Sequence, residues 1–262
     1  MENDAYVDPY EHAICFRHQL PGNMVKYWKY RTSLFSRFHE GILMDKESWF
    51  SVTPEAVAYR LAVECATDTI LDAFCGAGGN AIQFAFTCDN VIAIDIDPVK
   101  ISMAKHNARI YGVEDRITFL CGDYVEFATD YIQARTGAST SPARKWEGCH
   151  LKPIDIIFMS PPWGGVDYVD PTKLGSINLT KPYSDLYPLS ALQPVDGQTL
   201  FGLASSMTDK VVLYLPRNTD LDDIARLAMS NKELRFSVHV EELWMGYKLK
   251  ALAVFLARQL DP

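Results

Sequence analysis

Three short apolar runs in the first half of the chain each lead into an aspartate. The runs predict β-strands at residues 69–74, 91–95 and 117–120. Asp72 lies in the first run, Asp95 closes the second, and Asp123 follows the third. Helical patterns separate the runs, and this alternation predicts a doubly wound α/β domain with a mostly parallel sheet. Because parallel strands end at one edge of their sheet, we expect the three carboxylates to share one ligand site.

A glycine-rich turn, Gly76-Ala77-Gly78-Gly79-Asn80, joins the first predicted strand to a helix. It also fits the loose dinucleotide pattern G-x-G-x-x-G/A, which alone is weak evidence for a nicotinamide enzyme. Asp72 would repel a pyrophosphate but attract the ammonium of an amino acid. Asp95 can accept from two ribose hydroxyls, and Asp123 from an adenine amine. The set predicts S-adenosylmethionine, a cation without phosphate; helix capping and strand-end solvation are the alternative role for the three acids.

The stretch Ser160-Pro161-Pro162-Trp163 follows a predicted buried strand at residues 154–158. Proline has no backbone donor and a fixed φ, so two prolines end the strand in a stiff ledge. The carbonyls of Ser160 and Pro161 could then accept the N–H groups of a flat, amine-bearing ring, with Trp163 beside them. A plain turn with a core tryptophan explains the same residues.

The segment 24–39 is basic and aromatic, although the whole chain has a net charge of −8. It carries Lys26, Lys29, Arg31 and Arg37 among five aromatic residues and contains no acid. This composition favours a phosphate-bearing aromatic ligand. An amphipathic helix with packed aromatics and solvated cations is the alternative. The net charge argues against broad binding to a nucleic-acid backbone.

A predicted helix start lies at residues 53–55. Thr53 can cap the helix, Pro54 suits its first position, and Glu55 suits its positive end. Ser51 and Thr53 could then offer hydroxyls and free amides to an anion, or serve only as caps.

The remaining patterns predict an N-terminal extension, residues 1–66, before an α/β domain, residues 67–262. A surface insertion is predicted at about 134–152, from its glycine, serine and proline content. Residues 235–243 and 248–256 predict a terminal antiparallel hairpin.

The composition predicts neither a metal site nor an export signal. The six cysteines are scattered without a C-x-x-C pair, which is typical of free thiols in an intracellular protein. The acidic N-terminus lacks an apolar signal core. No apolar run reaches the ~20 residues needed to span a bilayer.

Several motifs together resemble the trimethylguanosine synthase family, the RNA cap hypermethylases. They are residues 72–80, 94–100 and 160–165, with further matches at 26–28, 34–38, 49–54 and 215–218. The resemblance covers residues 24–257. It implies a class I Rossmann-like S-adenosylmethionine-dependent methyltransferase with a seven-stranded sheet, a C-terminal antiparallel hairpin and a small, mainly helical N-terminal extension.

The resemblance also implies site residues. Those expected at the cofactor are Asp72, Phe74, Cys75, Gly76, Gly78, Asn80, Asp95, Ile96, Asp123, Tyr124 and Ser160. Those expected at the cap are Lys26, Ser51, Thr53, Pro162, Trp163, Tyr168, Arg217 and Asn218, with Lys29 and Arg31 along the following RNA. Ser160, Pro161 and Trp163 are the expected catalytic residues, and no metal is expected.

The implied activity is two successive methyl transfers to the exocyclic N2 of a 7-methylguanosine cap. The Ser160 and Pro161 carbonyls would turn the N–H bonds so that the lone pair leaves the ring plane. No strong base is required, because the amine becomes acidic once it is methylated. Trp163 would stack on the cationic base, with a cation–π gain of about 1 kcal/mol.

Substrates in the family are small nuclear and small nucleolar RNAs, so a nuclear location (nucleolus or nuclear bodies) is expected, with the cytoplasm as a second compartment. A monomer without membrane attachment is expected, with small ribonucleoprotein proteins as partners. Two other functions stay open from the sequence: methylation of N6-adenine or N2-guanine inside a nucleic acid, and a catalytically idle cap-binding module.

Overall fold

The structure is a computed structural model that describes residues 7–137, 146, 152–164, 186–230 and 234–259. It divides into two compact units, Met1–Phe127 and Ala128–Pro262. The predicted boundary at residues 66/67 falls inside the first unit and stays a prediction about function.

The first unit contains three parallel strands in the order β3-β2-β1. They are β1 (Thr69–Asp72), β2 (Asn90–Asp95) and β3 (Ile117–Cys121). Asp72 lies opposite Ala93, and Asp95 lies opposite Cys121. The register therefore brings the carboxyl ends of these strands together at one edge, as the acid pattern predicts.

The N-terminal extension is mainly helical, as predicted, but much of it is wound as 3-10 helix. A 3-10 helix spans Gly22–Tyr30, followed by α1 (Arg31–Leu34) and α2 (Ser48–Ser51). Shorter 3-10 turns lie at Pro9–Glu11, Arg17–Gln19 and Phe38–Glu40. The single amphipathic helix considered for residues 24–39 is therefore wrong.

The helix α3 (Glu55–Glu64) begins later than predicted, and Thr53 does not cap it. Pro54 occupies the N-cap position, with extended ψ and no side-chain hydrogen bond to the helix. Thr53 is buried, and its hydroxyl accepts from Asn80 Nδ2 at 3.1 Å. The predicted cap is wrong because Pro54, and not Thr53, takes the N-cap position, which leaves the Thr53 hydroxyl to the glycine-rich turn.

Three further α-helices begin in the first unit. They are α4 (Gly79–Phe84), α5 (Pro98–Tyr111) and α6 (Tyr124–Thr136), which continues into the second unit. Asp97 and Gly112 end α5 as predicted: Asp97 Oδ1 accepts from Val99 N at 2.8 Å, and Gly112 has a φ of 71°.

Asn107 on α5 joins the N-terminal extension to the glycine-rich turn. It is fully buried; its Oδ1 accepts from Leu43 N at 2.8 Å, and its Nδ2 donates to the carbonyls of Leu43 and Ala77, each at 2.9 Å. These three buried bonds fix the extension against the turn.

The second unit contains four strands in the order β4-β5-β7-β6. They are β4 (Ile156–Met159), β5 (Lys210–Pro216), β6 (Phe236–Met245) and β7 (Lys248–Arg258). β4 and β5 are parallel, while β7 runs antiparallel to both β5 and β6. The predicted hairpin is confirmed, and the strands make up the predicted seven-stranded mixed sheet. The helices α7 (Gly197–Met207) and α8 (Leu221–Ala228) also belong to this unit.

The predicted surface insertion at 134–152 is only partly described. α6 runs to Thr136, two residues beyond the predicted start of the insertion at residue 134. Trp146 is buried, and its Nε1 donates to Asp130 Oδ2 at 2.8 Å, so this residue contradicts an entirely exposed insertion. Residues 138–145 and 147–151 lie outside the described part of the chain.

Across the described residues, five cysteines are free thiols: Cys15, Cys65, Cys75, Cys88 and Cys121. In the same part of the chain, no helix combines the length and apolar character needed to cross a bilayer.

Candidate active site

Asp72, at the end of β1, is fully buried, and neither of its carboxylate oxygens has a hydrogen-bond partner. Burial raises the pKa of this carboxyl to about 7, and the nearby Asp95 charge adds to the rise. The amides of Phe74 and Ala81 offset part of the rise in pKa, although neither makes a hydrogen bond of good geometry. An unpaired buried carboxylate is costly, so this position suits a cationic ligand group.

The glycine-rich turn approaches α5 as closely as a backbone can. Gly78 has a φ of 90°, and a Cβ atom there would lie 3.2 Å from both Cα and Cβ of Ala104. Gly78 is also the N-cap of α4. Glycine is therefore required at this position both by conformation and by space.

Asp95 is held in one orientation by the turn that it faces. Its Oδ2 accepts from Gly76 N at 2.8 Å, and its Oδ1 accepts from Asp97 N at 3.0 Å. Burial raises the pKa of Asp95 as well. Each carboxylate oxygen can accept a second bond, so Asp95 can still receive two hydroxyl groups of a ligand. Ile96, next to it, is 67% exposed, which leaves a large apolar side chain available to a flat ring.

Asp123 caps a helix, which is the alternative role considered for the three aspartates. Its Oδ1 accepts from Val125 N at 2.6 Å and Glu126 N at 3.3 Å, so it caps α6. Tyr124 follows it and is buried, with its ring centroid 5.7 Å from that of the half-buried Phe74. These two rings form an apolar wall within the first unit. The Tyr124 hydroxyl has no hydrogen-bond partner, and burial raises its pKa.

Cys75 is part of the support of this turn. Its N–H donates to Ile94 O at 2.9 Å, and its thiol is buried. Burial raises the pKa of the thiol well above its usual value. A neutral, buried thiol is not a nucleophile.

Ser51 does not offer the free amide considered for an anion site at the start of α3. Ser51 ends α2, where its N–H and its hydroxyl both donate to Glu47 O, at 3.1 and 3.0 Å. Its amide is therefore not free. Thr53 is buried beside the glycine-rich turn, so both residues' contacts with a cap stay predictions.

The basic segment separates into packed and exposed side chains. Trp28 stacks on the buried Trp49 with centroids 5.4 Å apart, as in the packed-aromatic alternative. Arg31 lies over the Trp28 ring at 5.1 Å and donates to Trp28 O at 3.1 Å. The guanidinium of Arg31 is therefore engaged within the extension, and its expected place along the RNA stays a prediction. Lys26 is exposed, with its Nζ 5.2 Å from the Tyr27 ring centroid.

The Pro-Pro-Trp ledge belongs to the second unit. Trp163 is half-buried; its Nε1 donates to Tyr214 O at 3.2 Å, and its ring stacks on Tyr214 with centroids 5.3 Å apart and planes 25° apart. Pro161 is buried, and the Pro162 carbonyl accepts from Gln193 N at 3.3 Å. Trp163 is thus anchored to β5, not enclosed in the core.

Arg217 and Asn218 follow β5 at the same end as the ledge, because β4 and β5 are parallel. Arg217 is exposed, while Asn218 is half-buried and its carbonyl accepts from Tyr187 N at 2.7 Å. An exposed guanidinium at this end suits a phosphate. Tyr168 lies outside the described residues, and its role stays a prediction.

Comparison with protein families identifies the family to which a chain with these strand-end acids and this Pro-Pro-Trp ledge belongs. Residues 67–259 match the model of the RNA cap guanine-N2 methyltransferase family. This chain belongs to that family. The resemblance predicted from its motifs is therefore confirmed.

Trimethylguanosine synthases are among the most similar relatives of this RNA cap guanine-N2 methyltransferase. The protein of Schizosaccharomyces pombe is 41% identical over 217 residues, covering 79% of this chain and 76% of the relative. The Saccharomyces cerevisiae protein is 34% identical over 212 residues, covering 78% of this chain and 58% of the relative. The chain thus spans little more than half of the second protein's length.

The fold is also that of a methyltransferase. A solved structure of a Porphyromonas gingivalis W83 protein assigned as a methyltransferase matches 97% of this chain and 55% of that chain, with a TM-score of 0.59 and 13% identity. At this identity the likeness shows the fold alone, and it confirms the predicted fold class.

The family uses S-adenosylmethionine, and the first unit fits that molecule. The orphaned carboxylate of Asp72 fits its ammonium, Asp95 fits its ribose, and the exposed Ile96 with the Phe74–Tyr124 wall fits its adenine. Among the described residues, no group of three His, Cys, Asp or Glu side chains could hold a metal ion.

Tyr214 is the functional candidate that sequence reasoning missed. It is buried on β5 and supports the indole of Trp163 by stacking. One sequence signal could have indicated it: Tyr214 lies two residues before Pro216, near the end of the strand that leads into Arg217 and Asn218. The pairing with Trp163 is long-range and does not follow from local pattern.

Proposed function

We propose that this chain methylates the exocyclic N2 of the 7-methylguanosine cap of RNA in two successive steps, giving 2,2,7-trimethylguanosine. The observation that carries the proposal is the family match over residues 67–259. The relatives named trimethylguanosine synthase support the second methylation step, because one transfer alone gives a dimethyl cap.

S-adenosylmethionine, when bound, supplies an electrophilic methyl group on a sulfonium and leaves as S-adenosylhomocysteine. Asp72 accepts the ammonium group, whose charge compensates the buried carboxylate. Asp95, already oriented by two backbone amides, accepts the ribose hydroxyls. These residues position the donor and need no metal, because the leaving group departs as a neutral thioether.

The ledge residues prepare the acceptor amine. The N2 lone pair of guanine is delocalised into the ring, and carbonyl acceptors at Ser160 and Pro161 turn the N–H bonds so that the lone pair becomes available. Alignment and electrostatics then account for most of the rate. The proton leaves after transfer, so no strong base is required.

Trp163 selects the cationic base. A 7-methylguanine stacked on its indole gains a cation–π interaction of about 1 kcal/mol that unmethylated guanine lacks. Tyr214 fixes the plane of the indole by stacking and by accepting from its Nε1. The proposed ligands of the cap phosphates are Lys26, Ser51, Thr53, Tyr168 and Arg217, with Asn218 assisting Arg217.

Transfer of labelled methyl groups tests the proposal. The purified chain is incubated with methyl-labelled S-adenosylmethionine and 7-methyl-GTP, GTP or an adenine oligonucleotide. We expect label in 7-methyl-GTP alone, first as a dimethyl and then as a trimethyl nucleotide. Equal label in GTP would contradict the cation-stacking argument, and label in the oligonucleotide would indicate internal methylation.

The cellular setting is also part of the proposal. Small nuclear and small nucleolar RNAs are the proposed substrates, with the nucleus as the compartment and a monomer as the active form. Immunoprecipitation of trimethyl-capped RNA from cells lacking the protein tests the RNA classes: their trimethyl caps are expected to disappear.

A further inference from the structure

Residues 12–39 form a positively charged segment in an acidic protein. They include five Lys or Arg residues and no Asp or Glu, whereas the whole chain has a net charge of −8. Such a local reversal of charge attracts an anionic partner to one place. The proposed cap phosphates account for Lys26 alone, so the other cations require a separate explanation.

Two of the five cations are engaged within the extension. Arg31 packs on Trp28 and donates to its carbonyl. Arg37 donates to Glu40 at 2.5 and 2.8 Å, and its guanidinium lies 5.6 Å from the Tyr111 ring centroid. In contrast, the ammonium groups of Lys26 and Lys29 make no ion pair or hydrogen bond within the described residues.

Lys26 and Lys29 project from the same side of the 3-10 helix Gly22–Tyr30. Side chains three residues apart eclipse in a 3-10 helix, and the rise of ~2.0 Å per residue separates them by about 6 Å. The burial pattern follows that period: Asn23, Lys26 and Lys29 are all exposed, whereas Met24 is buried. A nine-residue 3-10 helix is unusually long, since most such runs end after three or four residues.

Each of the two lysines is paired with the tyrosine that follows it. Lys26 Nζ lies 5.2 Å from the Tyr27 ring centroid, and Lys29 Nζ lies 4.8 Å from that of Tyr30. Tyr27 and Tyr30 are half-buried and occupy the adjacent side of the helix. The helix therefore repeats one cation and one aromatic ring per turn.

A single-stranded nucleic acid repeats a phosphate and a base in the same way. Proteins hold such strands by combining cations along the backbone with aromatic rings under successive bases. An acidic peptide would need the cations but not a regularly spaced ring beside each of them. The repeat of both groups therefore favours RNA.

We propose that the 3-10 helix Gly22–Tyr30 binds the first nucleotides of RNA that follow the cap. Lys26 contacts the phosphates nearest the cap, while Lys29 contacts the next phosphate and Tyr30 stacks on a base. This site rests on the proposed function, because the RNA chain is present only when a capped RNA is the substrate.

Steady-state kinetics with two substrates test the site. KM is measured for 7-methyl-GTP and for a capped ten-nucleotide RNA, using wild type, Lys29→Ala, Tyr30→Ala and Tyr30→Phe. We expect Tyr30→Ala to raise the KM for capped RNA ~5-fold or more, as loss of one stacked base implies. Tyr30→Phe keeps the ring and is expected to stay near wild type. The KM for 7-methyl-GTP is expected to be unchanged in all variants.

The salt dependence of binding gives a second readout from Lys29→Ala. Loss of one phosphate contact on a single strand lowers the slope of log K against log salt by about 0.7. Lys46→Ala is the matched control, because Lys46 is an exposed lysine of the same extension outside the 3-10 helix. Uncapped oligouridylate is expected to compete with the capped RNA, and oligoglutamate of equal charge is not.

The outcomes separate the site from the function. A wild-type protein that methylates neither substrate contradicts the proposed function. If 7-methyl-GTP is methylated normally but capped RNA binds no more tightly than 7-methyl-GTP, the RNA site is overturned and the proposed function is not. Equal competition by oligoglutamate, or equal rises in the KM for both substrates in Lys29→Ala and Tyr30→Ala, also overturns it. Fluorescence anisotropy of labelled capped RNA gives the same comparison without turnover.

Discussion

At the scale of single residues, Trp163 and Asp72 are held in opposite ways. Trp163 is oriented by a stacked tyrosine and a hydrogen bond, so its ring has a fixed plane before any substrate binds. Asp72 is buried without a hydrogen-bond partner, so its charge is compensated only by a proton or by a cationic ligand. Trp163, which is proposed to stack on the base, is thus pre-organised. Asp72, which is proposed to bind the methyl donor, gains a cationic partner only when the donor binds.

Trp163→Ala is expected to abolish methyl transfer while leaving cofactor affinity near the wild-type value. The substitution removes the stacking surface for the base, but Trp163 is not among the residues proposed to hold the donor. Transfer is measured with 7-methyl-GTP, and donor affinity by isothermal titration calorimetry. Trp244→Ala is the control, because Trp244 is 51% exposed and lies on β6. A parallel loss of cofactor binding would show that Trp163 serves as a core residue instead.

Asp72→Asn is expected to change how the stability of the free protein depends on pH. The folded-state pKa of about 7 exceeds the ordinary value of 3.8, so the folded state binds more protons between these pH values. The stability of the wild-type protein therefore falls as pH rises from about 4 to about 7. The asparagine variant lacks this component, so we expect its Tm to exceed that of wild type by more at pH 8 than at pH 5.

Thermal unfolding without ligand, at pH 5 and pH 8, provides the measurement. The same variant is expected to lose affinity for S-adenosylmethionine, since it no longer offers a carboxylate to the ammonium. Asp115→Asn, at an exposed position, controls for the loss of one negative charge. Identical pH profiles for wild type and Asp72→Asn would mean that Asp72 is compensated in the free protein.

At the scale of elements, the glycine-rich turn is the point where several parts of the first unit meet. Asn107 links Leu43 to Ala77, and Asn80 links Thr53 to the start of α4. Gly78 lies against Ala104 of α5. The N-terminal extension therefore sets the position of the turn, so a change in either should affect donor binding.

Gly78→Ala is expected to lower both stability and affinity for S-adenosylmethionine. A Cβ at this position adds a clash with Ala104 to a left-handed conformation that costs L-residues about 1–2 kcal/mol. Gly112→Ala is a matched control, because Gly112 has a φ of 71° and open space around its Cβ position. Both variants should lose Tm, but only Gly78→Ala should lose donor affinity by calorimetry. Equal donor affinities in the two variants would contradict a role for this close approach.

At the scale of the whole molecule, the fold follows from local patterns more closely than the site does. The strands that carry Asp72 and Asp95, the capped helix α5 and the terminal hairpin are all visible in short stretches of sequence, although β1 ends at Asp72 and not at the predicted residue 74. These features depend on neighbours along the chain. Periodicity and turn chemistry therefore predict them.

The features that sequence reasoning missed depend on distant partners. Thr53 has the composition of a cap, yet its hydroxyl bonds to Asn80, 27 residues away. Arg31 and Lys29 look alike in a basic segment, but packing on Trp28 engages only the arginine's guanidinium. Trp163 follows β4, whereas Tyr214, which supports its ring, lies on β5. None of these contacts has a periodic signal.

The buried carboxylate of Asp72 has a consequence for how the enzyme distinguishes small adenosyl compounds. An analogue without the amino group brings no cation to Asp72 and would leave the carboxylate uncompensated. The product S-adenosylhomocysteine keeps that amino group and differs from the donor by the lost methyl group and the lost charge on sulfur. If Asp72 binds the ammonium as proposed, the contact that recruits the donor is expected to retain the product as well, so the turnover rate is expected to depend on the ratio of donor to product around the enzyme.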